Sequence, residues 1–229
     1  LGKSNNFSTK EIRRLWSGTG SLLARDLPKL LVDTHHKMVL IDGDVVEEKN
    51  IKRQSYQKRD VGENKAIALS SKINAFYDTK CEVIPKYLCR TEILEYIKAN
   101  EDFTPVIVGC VDNNKTREIM ENTYKQLKKE NKDCVYIDSA NGEYEGNIYI
   151  SYNLDGQNEG VVRSDVYKLT EDLHPLEESC EVQASKGNVQ YLVTNNKMSN
   201  YLLEHLNALL NGELKGGMQD VKRFNSVFY

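Results

Sequence analysis

Apolar positions along the chain switch between two spacings, and the switching predicts a succession of helices and strands. Leu22, Leu23, Leu27, Leu30 and Leu31 share one stripe, so a helix is expected over residues 20–31. Pro28 inside it predicts a kink or a late start. Residues 37–42 (KMVLID) are almost wholly apolar, as a strand covered on both faces should be. Ala66, Leu69, Ile73 and Phe76 fall on one side of a helix expected over 62–77. Residues 81–84 read as a strand and 91–99 as a helix with a polar cap. A second strongly apolar strand is expected at 105–111 (PVIVGCV), a charged surface helix at 114–129, and a strand at 134–138 (CVYID).

Strand–helix–strand units of about 30 residues predict an α/β fold with a doubly wound, Rossmann-like, mostly parallel sheet. From Gly146 the pattern changes: GNIYISYNL alternates, which predicts an antiparallel addition. Residues 155–187 are polar and irregular and read as a crossover or active-site loop. A long helix is expected over 188–210, and Gly216-Gly217 opens a final extended tail. No internal repeat or domain boundary is evident, so one domain over 1–229 is expected. The N-terminal end fits least well. A doubly wound fold wants an apolar first strand before its glycine loop, whereas EIRRLWS places Arg13 and Arg14 there. Either that strand is unusual or residues are missing before it.

Composition narrows the function classes. The 229 residues carry 31 basic and 34 acidic side chains, a net charge of −3, which argues against a protein built to grip nucleic acid or an anionic membrane. Mean hydropathy is −0.59, and no apolar run approaches the ~20 residues that span a bilayer. The segment LGKSNNFSTK lacks the apolar core of a signal peptide. Five cysteines, an odd number with no CxxC pair, predict neither a zinc ribbon nor a disulfide framework. Cys81, Cys110 and Cys134 fall in apolar runs and read as small buried hydrophobes. A reducing, cytoplasmic setting is the expectation. His35 and His36 have no metal-spaced partner and read as surface residues.

Candidate chemistry begins at Gly18-Thr19-Gly20-Ser21, small residues before a helix, where backbone N–H groups can approach a phosphate. A plain turn explains that motif equally well. Asp42 ends an apolar strand 22 residues after Gly20, where a Rossmann-type site places an acid on ribose hydroxyls. A surface turn, DGD, is the simpler account of Asp42 and Asp44 taken alone.

Four further blocks follow in order: IDGDVVEEKNIKRQ, DVGENKA, VDNNKTR and IDSANGEYEGNIYI. Together they resemble the nucleotide-binding signature of ThiF-type adenylyltransferases, the superfamily that includes the activating enzymes of ubiquitin-like proteins. The resemblance covers about residues 18–150 and is nearest to bacterial ThiF-domain proteins. It implies ATP and magnesium as cofactors. It places Gly18 and Gly20 at the nucleotide, Asp42 on the ribose, Asn50, Arg53, Gln54 and Lys65 at the phosphates, and Asp112 on the metal. Asn113 and Arg117 match its DNxxxR block, either bracing the loop or touching ligand. It also implies a partner, a ubiquitin-like or sulfur-carrier protein with a C-terminal Gly-Gly tail, and a homodimer in which Arg13 or Arg14 reaches the other subunit's phosphates. Cys180, in LEESCEVQASKG, is the candidate nucleophile if a thioester forms, although Glu177, Glu178 and Glu181 would oppose its ionisation unless Lys186 or a helix end offsets them. Tyr144, Tyr149, Tyr152 and Tyr191 are candidates for a protein-binding face.

The reaction implied joins a protein's C-terminal carboxylate to the α-phosphate of ATP. The carboxylate is already ionised near neutral pH, so the absence of a catalytic histidine is no objection. Two other readings stay open. One is a nicotinamide-dependent oxidoreductase, which would not need Arg53, Lys65 and Asp112. The other is an inactive family member serving as a binding partner.

Overall fold

The structure, a computed structural model, describes residues 11–16, 20–77, 81–169 and 192–229. Its strands form one mixed sheet. The parallel half runs β3 (Glu82–Ile84), β2 (Lys37–Ile41), β1 (Glu11–Trp16), β4 (Phe103–Gly109) and β5 (Cys134–Asn141). That order, 3-2-1-4-5, is the doubly wound arrangement, and it opens a crevice outside the carboxyl ends of the strands flanking β1. The expected α/β fold is therefore present.

β1 takes the central place despite Arg13 and Arg14. Its backbone pairs in parallel with Lys37–Leu40 of β2 on one side and with residues 103–107 of β4 on the other. The segment is therefore a strand, although Arg13 and Arg14 lie within it.

The sheet then turns antiparallel. β6 (Gly146–Leu154) lies against β5, and β7 (Gln157–Gly160) and β8 (Gly217–Val221) share its other edge. β9 (Ser226–Phe228) closes the hairpin on β8. Where β7 hands over to β8, Gly160 and Gly216 meet backbone to backbone. Gly160 has φ +91°, and a Cβ at either position would strike main-chain atoms of the other strand.

Helices cover both faces. On one lie α1 (Gly20–Asp26), α4 (Lys65–Tyr77) and α8 (Leu192–Leu210), burying Leu23, Leu27, Leu69, Val106, Val108, Ile137, Ile148 and Leu206. On the other lie α5 (Arg90–Lys98), α6 (Asn114–Lys129) and α7 (Arg163–Val166), burying Ile93, Ile97, Ile107, Tyr124, Leu127, Tyr136 and Val162. Pro28 opens α2 (Pro28–Leu31), so the expected break in the first helical stretch is real.

Several expectations need correction. α4 starts at Lys65, not 62, because Asn64 caps it: Asn64 Oδ1 accepts from the amides of Ala66 (3.0 Å) and Ile67 (3.2 Å). β4 is Phe103–Gly109 with a further bridge at Cys110, so it stops short of Val111, which stays buried. Residues 155–169 hold β7 and α7 where an irregular loop was expected. The extended tail is a hairpin joined to the sheet. Tyr149 and Tyr152 are core residues, exposed by 0% and 3%, so they cannot line a protein-binding face, whereas Tyr144 is exposed. Tyr191 lies outside the described residues. Cys81, Cys110 and Cys134 are buried as expected. His35 is exposed, and His36 is partly buried. No helix among the described residues is long and apolar enough to cross a membrane.

Candidate active site

The site forms where the loops after β2, β3 and β4 meet. Asp42 is the first residue past β2, with its amide on the Ile84 carbonyl at 3.3 Å, and its carboxylate accepts from the Asp44 amide at 2.9 Å. The following turn is closed by backbone pairing with the segment before α4: Val46 N–H to Glu63 O (2.8 Å), Gly62 N–H to Val46 O (2.9 Å) and Lys65 N–H to Asp44 O (2.9 Å). Asn64 adds side-chain bonds to the carbonyls of Asp42 (2.8 Å) and Asp44 (3.1 Å). Through this closure Lys65, the first residue of α4, is placed beside the end of β2.

Lys65 is 8% exposed, although the charge-rich stretch around it suggests a solvated surface. Its Nζ donates to Asp44 Oδ2 at 2.7 Å. Burial alone would push the ammonium down, but the charges of Asp44, Asp42 and Asp112 outweigh it and hold Lys65 above its ordinary value. Asp44 likewise lies below the usual carboxylate range: burial pushes it up, and Lys65, the Tyr87 hydroxyl and Lys49 outweigh that. The Tyr87 hydroxyl donates to the other Asp44 oxygen, and its ring lies on Gly43, where any Cβ would clash. Burial pushes Tyr87 up, as do Asp44, Asp42 and Asp112. The structure thus brings Asp42, Asp44, Lys65, Tyr87 and Asp112 within electrostatic reach of one another.

The loop after β2 carries three more predicted residues. Asn50, buried in α3 (Glu48–Ile51), spends its side-chain oxygen on the Glu47 amide at 2.8 Å. Arg53 and Gln54 follow, their amides on the Asn50 carbonyl at 3.1 and 2.9 Å. Asn195 of α8 supports this turn from behind, donating to the Arg53 carbonyl at 3.3 Å. The Ser55 amide donates to the Ser21 hydroxyl at 3.2 Å, tying the turn to the first residues of α1, where Gly20 is buried. Among the described residues Gln54 Oε1 and Ser55 Oγ are buried without a hydrogen-bond partner, polar atoms that a hydroxyl-bearing ligand could satisfy.

Asp112 is exposed in the loop after β4. Asn113 caps α6, its side chain accepting from the Thr116 amide at 2.8 Å. Arg117 braces the loop, donating to the Val111 carbonyl, so of its two sequence readings the bracing one holds. Among the described residues no three His, Cys, Asp or Glu side chains are grouped to hold a metal ion. Magnesium fits such a site only when a carboxylate shares it with substrate phosphates and water, and the exposed Asp112 is chemically suited to that. Gly18 and Cys180 lie outside the described residues, as do Glu177, Glu178, Glu181 and Lys186.

Asp44, Asn64 and Tyr87 are the site residues that sequence reasoning passed over. Asn64 was legible as a cap before Lys65. Tyr87 carried no sequence signal, since its contact with Asp44 depends on how the loop after β3 folds.

A family model, the ThiF family, matches residues 17–210. The chain belongs to the ThiF family. The crystal structure of PaaA superposes with TM-score 0.63 at 18% identity, covering 96% of this chain and 64% of that one. MccB from E. coli, crystallised with MccA-N7isoASN, superposes with TM-score 0.65 at 14% identity over 96% of this chain and 64% of that one. MccB with ATP gives TM-score 0.62 at 13% identity, over 96% and 63%. The chain therefore spans about 64% of the length of its structural neighbours. No curated protein matches it in sequence. The matched residues span the parallel strands β2 to β5 and the loops that meet around Lys65.

Proposed function

We propose that this ThiF-family chain binds ATP with magnesium and adenylates the C-terminal carboxylate of a polypeptide. The observation that carries this reading is the buried Lys65 ammonium, held among Asp42, Asp44 and Asp112 at the carboxyl ends of β2 and β4. Hydride transfer itself needs neither magnesium nor a cationic clamp on a triphosphate. An inactive relative has no need to keep such a cation.

In this reading Asp42 takes the ribose hydroxyls, and Gly18, Gly20, Asn50 and Gln54 lie along the nucleotide. Arg53 and Lys65 balance the phosphates, and Asp112 would hold a magnesium ion. The metal supplies positive charge where negative charge builds up on the phosphate oxygens. A carboxylate oxygen of the acceptor attacks the α-phosphorus, the bond to the bridging oxygen breaks, and pyrophosphate leaves with the electron pair. No proton moves, so no general base is required. Lys65 keeps its proton throughout, because its acidic neighbours raise its affinity for it.

The acceptor we assign first is a ubiquitin-like or sulfur-carrier protein ending in Gly-Gly, with Cys180 as the nucleophile of a subsequent thioester. An MccA-like acceptor is the second reading, favoured by the fold shared with MccB, which was crystallised with ATP and with MccA. We further assign a cytoplasmic homodimer.

Calorimetry with ATP and magnesium should show binding, and NAD should not bind. Pyrophosphate exchange should then appear with one acceptor class. Tight NAD binding without ATP binding would overturn the proposal. A conjugate unchanged in Cys180→Ser would remove the thioester step alone.

A further inference from the structure

On the α5–α6 face of the sheet, one buried carboxylate is divided between two arginines. Asp138 of β5 is 0% exposed, and Gly109 on the neighbouring strand leaves room for it: a Cβ there would sit 2.9 Å from Asp138 Oδ1. Oδ1 accepts from Arg117 Nη1 at 2.6 Å, and Oδ2 accepts from Arg163 Nε. Arg163 is fixed from other directions as well, with Nη1 on the Asn147 side chain at 2.7 Å and its guanidinium 4.4 Å from the centre of the Tyr149 ring. The next residue, Ser164, bonds to Glu121 of α6 through its amide (3.2 Å) and its hydroxyl.

The division has a geometric consequence. A carboxylate with both oxygens available takes a guanidinium side-on, through two parallel bonds. Here Arg163 occupies Oδ2, so Arg117 reaches only Oδ1 of Asp138 through Nη1, which also donates to the Ser139 carbonyl at 3.0 Å, and its Nη2 stays on the Val111 carbonyl. That carbonyl immediately precedes Asp112.

We propose that Arg163 is a positioning residue for Asp112: by occupying one oxygen of Asp138 it keeps Arg117 on the Val111 carbonyl and so fixes the loop after β4. The importance of that loop rests on the nucleotide-site reading above, but the coupling from Arg163 to the loop does not. Removing Arg163 lets Arg117 turn side-on to Asp138 and releases Val111. The residue then acts on magnesium–ATP from the far side of the sheet without touching it.

Hydrogen exchange on the full chain, without nucleotide, tests the coupling. In Arg163→Gln, amides of residues 111–117 should exchange at least fivefold faster, while those of α4 stay within twofold of wild type. Arg163→Lys, which keeps a cation for Oδ2, should restore most of the protection. If Arg163→Gln does not fold, Asn147→Ala, which frees only Arg163 Nη1, should move the same amides in the same direction by a smaller factor. ATP titration with and without magnesium supplies the second readout. The gain in affinity due to magnesium should fall about tenfold in Arg163→Gln, with metal-free affinity within twofold. Unchanged exchange over 111–117 in the folded variants would overturn the inference. A wild-type protein that does not bind ATP would instead overturn the role given to Asp112, and exchange would still decide whether Arg163 governs the loop.

Discussion

Asp44 shows how single residues set the chemistry of this site. One oxygen holds Lys65 at 2.7 Å and the other holds the Tyr87 hydroxyl. A carboxylate whose folded value is lowered stabilises the fold above its unfolded value, about 4, and loses that contribution as pH falls through the folded value. Lys65, raised in the folded state, contributes below about 10.4 and loses its share as pH rises through its folded value. The pair should therefore stabilise the protein across the whole interval between, and melting of Asp44→Asn against wild type at pH 3 and pH 7 checks this. The gap should be present at pH 7 and shrink at pH 3. Asp112 predicts the opposite separation of stability and function. It is exposed, so Asp112→Ala should shift stability by no more than about 0.5 kcal/mol. Magnesium-dependent ATP binding should fall by at least tenfold, and calorimetry reads both arms if it is paired with thermal melting. Lys65 and Asp112 were legible in the sequence because motif spacing survives in a linear chain. Asp44's second partner and the buried state of Lys65 were not, because both arise when the segments around 44 and 64 close on each other.

At the scale of elements, the same closure turns on Asn64. Its side chain makes four bonds: two to the carbonyls of Asp42 and Asp44, and two from the amides of Ala66 and Ile67 at the start of α4. Asn64→Ala should cost about 1–2 kcal/mol as a lost helix cap, read as a lower melting temperature or denaturant midpoint. It should also weaken ATP binding, since Lys65 is the residue this cap delivers. Long periodic segments could be read directly: α6 and β6 occupy the residues expected, because their apolar spacing is sustained over 16 and 9 residues. The failures are short or polar. QNEG of β7 is exposed at every position and becomes a strand only through its ladder with β6. α7 has four residues, too few to show a helical period. β4 begins at Phe103 because Glu11 and Ile12 of β1 extend far enough to pair with Phe103 and Thr104, a limit set by the neighbouring strand.

The molecule as a whole joins a parallel, doubly wound half to an antiparallel wing, and β6 is the strand on which the wing depends. β5 pairs along one edge of β6, while β8 covers residues 146–150 of the other and β7 the rest. The C-terminal hairpin also grips α8: His205 bonds to Gln219 at 2.7 Å and Tyr201 to Ser226 at 2.8 Å. Asn147, which holds Arg163, lies directly opposite Asp220 of β8, so the hairpin supports one anchor of the Asp138 network. Removing residues 217–229 should therefore act in two ways. It leaves the amides and carbonyls of an apolar strand, NIYI, unpaired along an open edge, the kind of edge that recruits other chains. It also loosens Asn147 and with it the hold on Arg163. The truncated chain should form soluble aggregates by light scattering, and whatever monomer remains should exchange faster over residues 111–117. A monodisperse truncated protein with the wild-type melting temperature would show that β6 is secured by β5 and β7 alone, and that the hairpin carries none of the wing's stability.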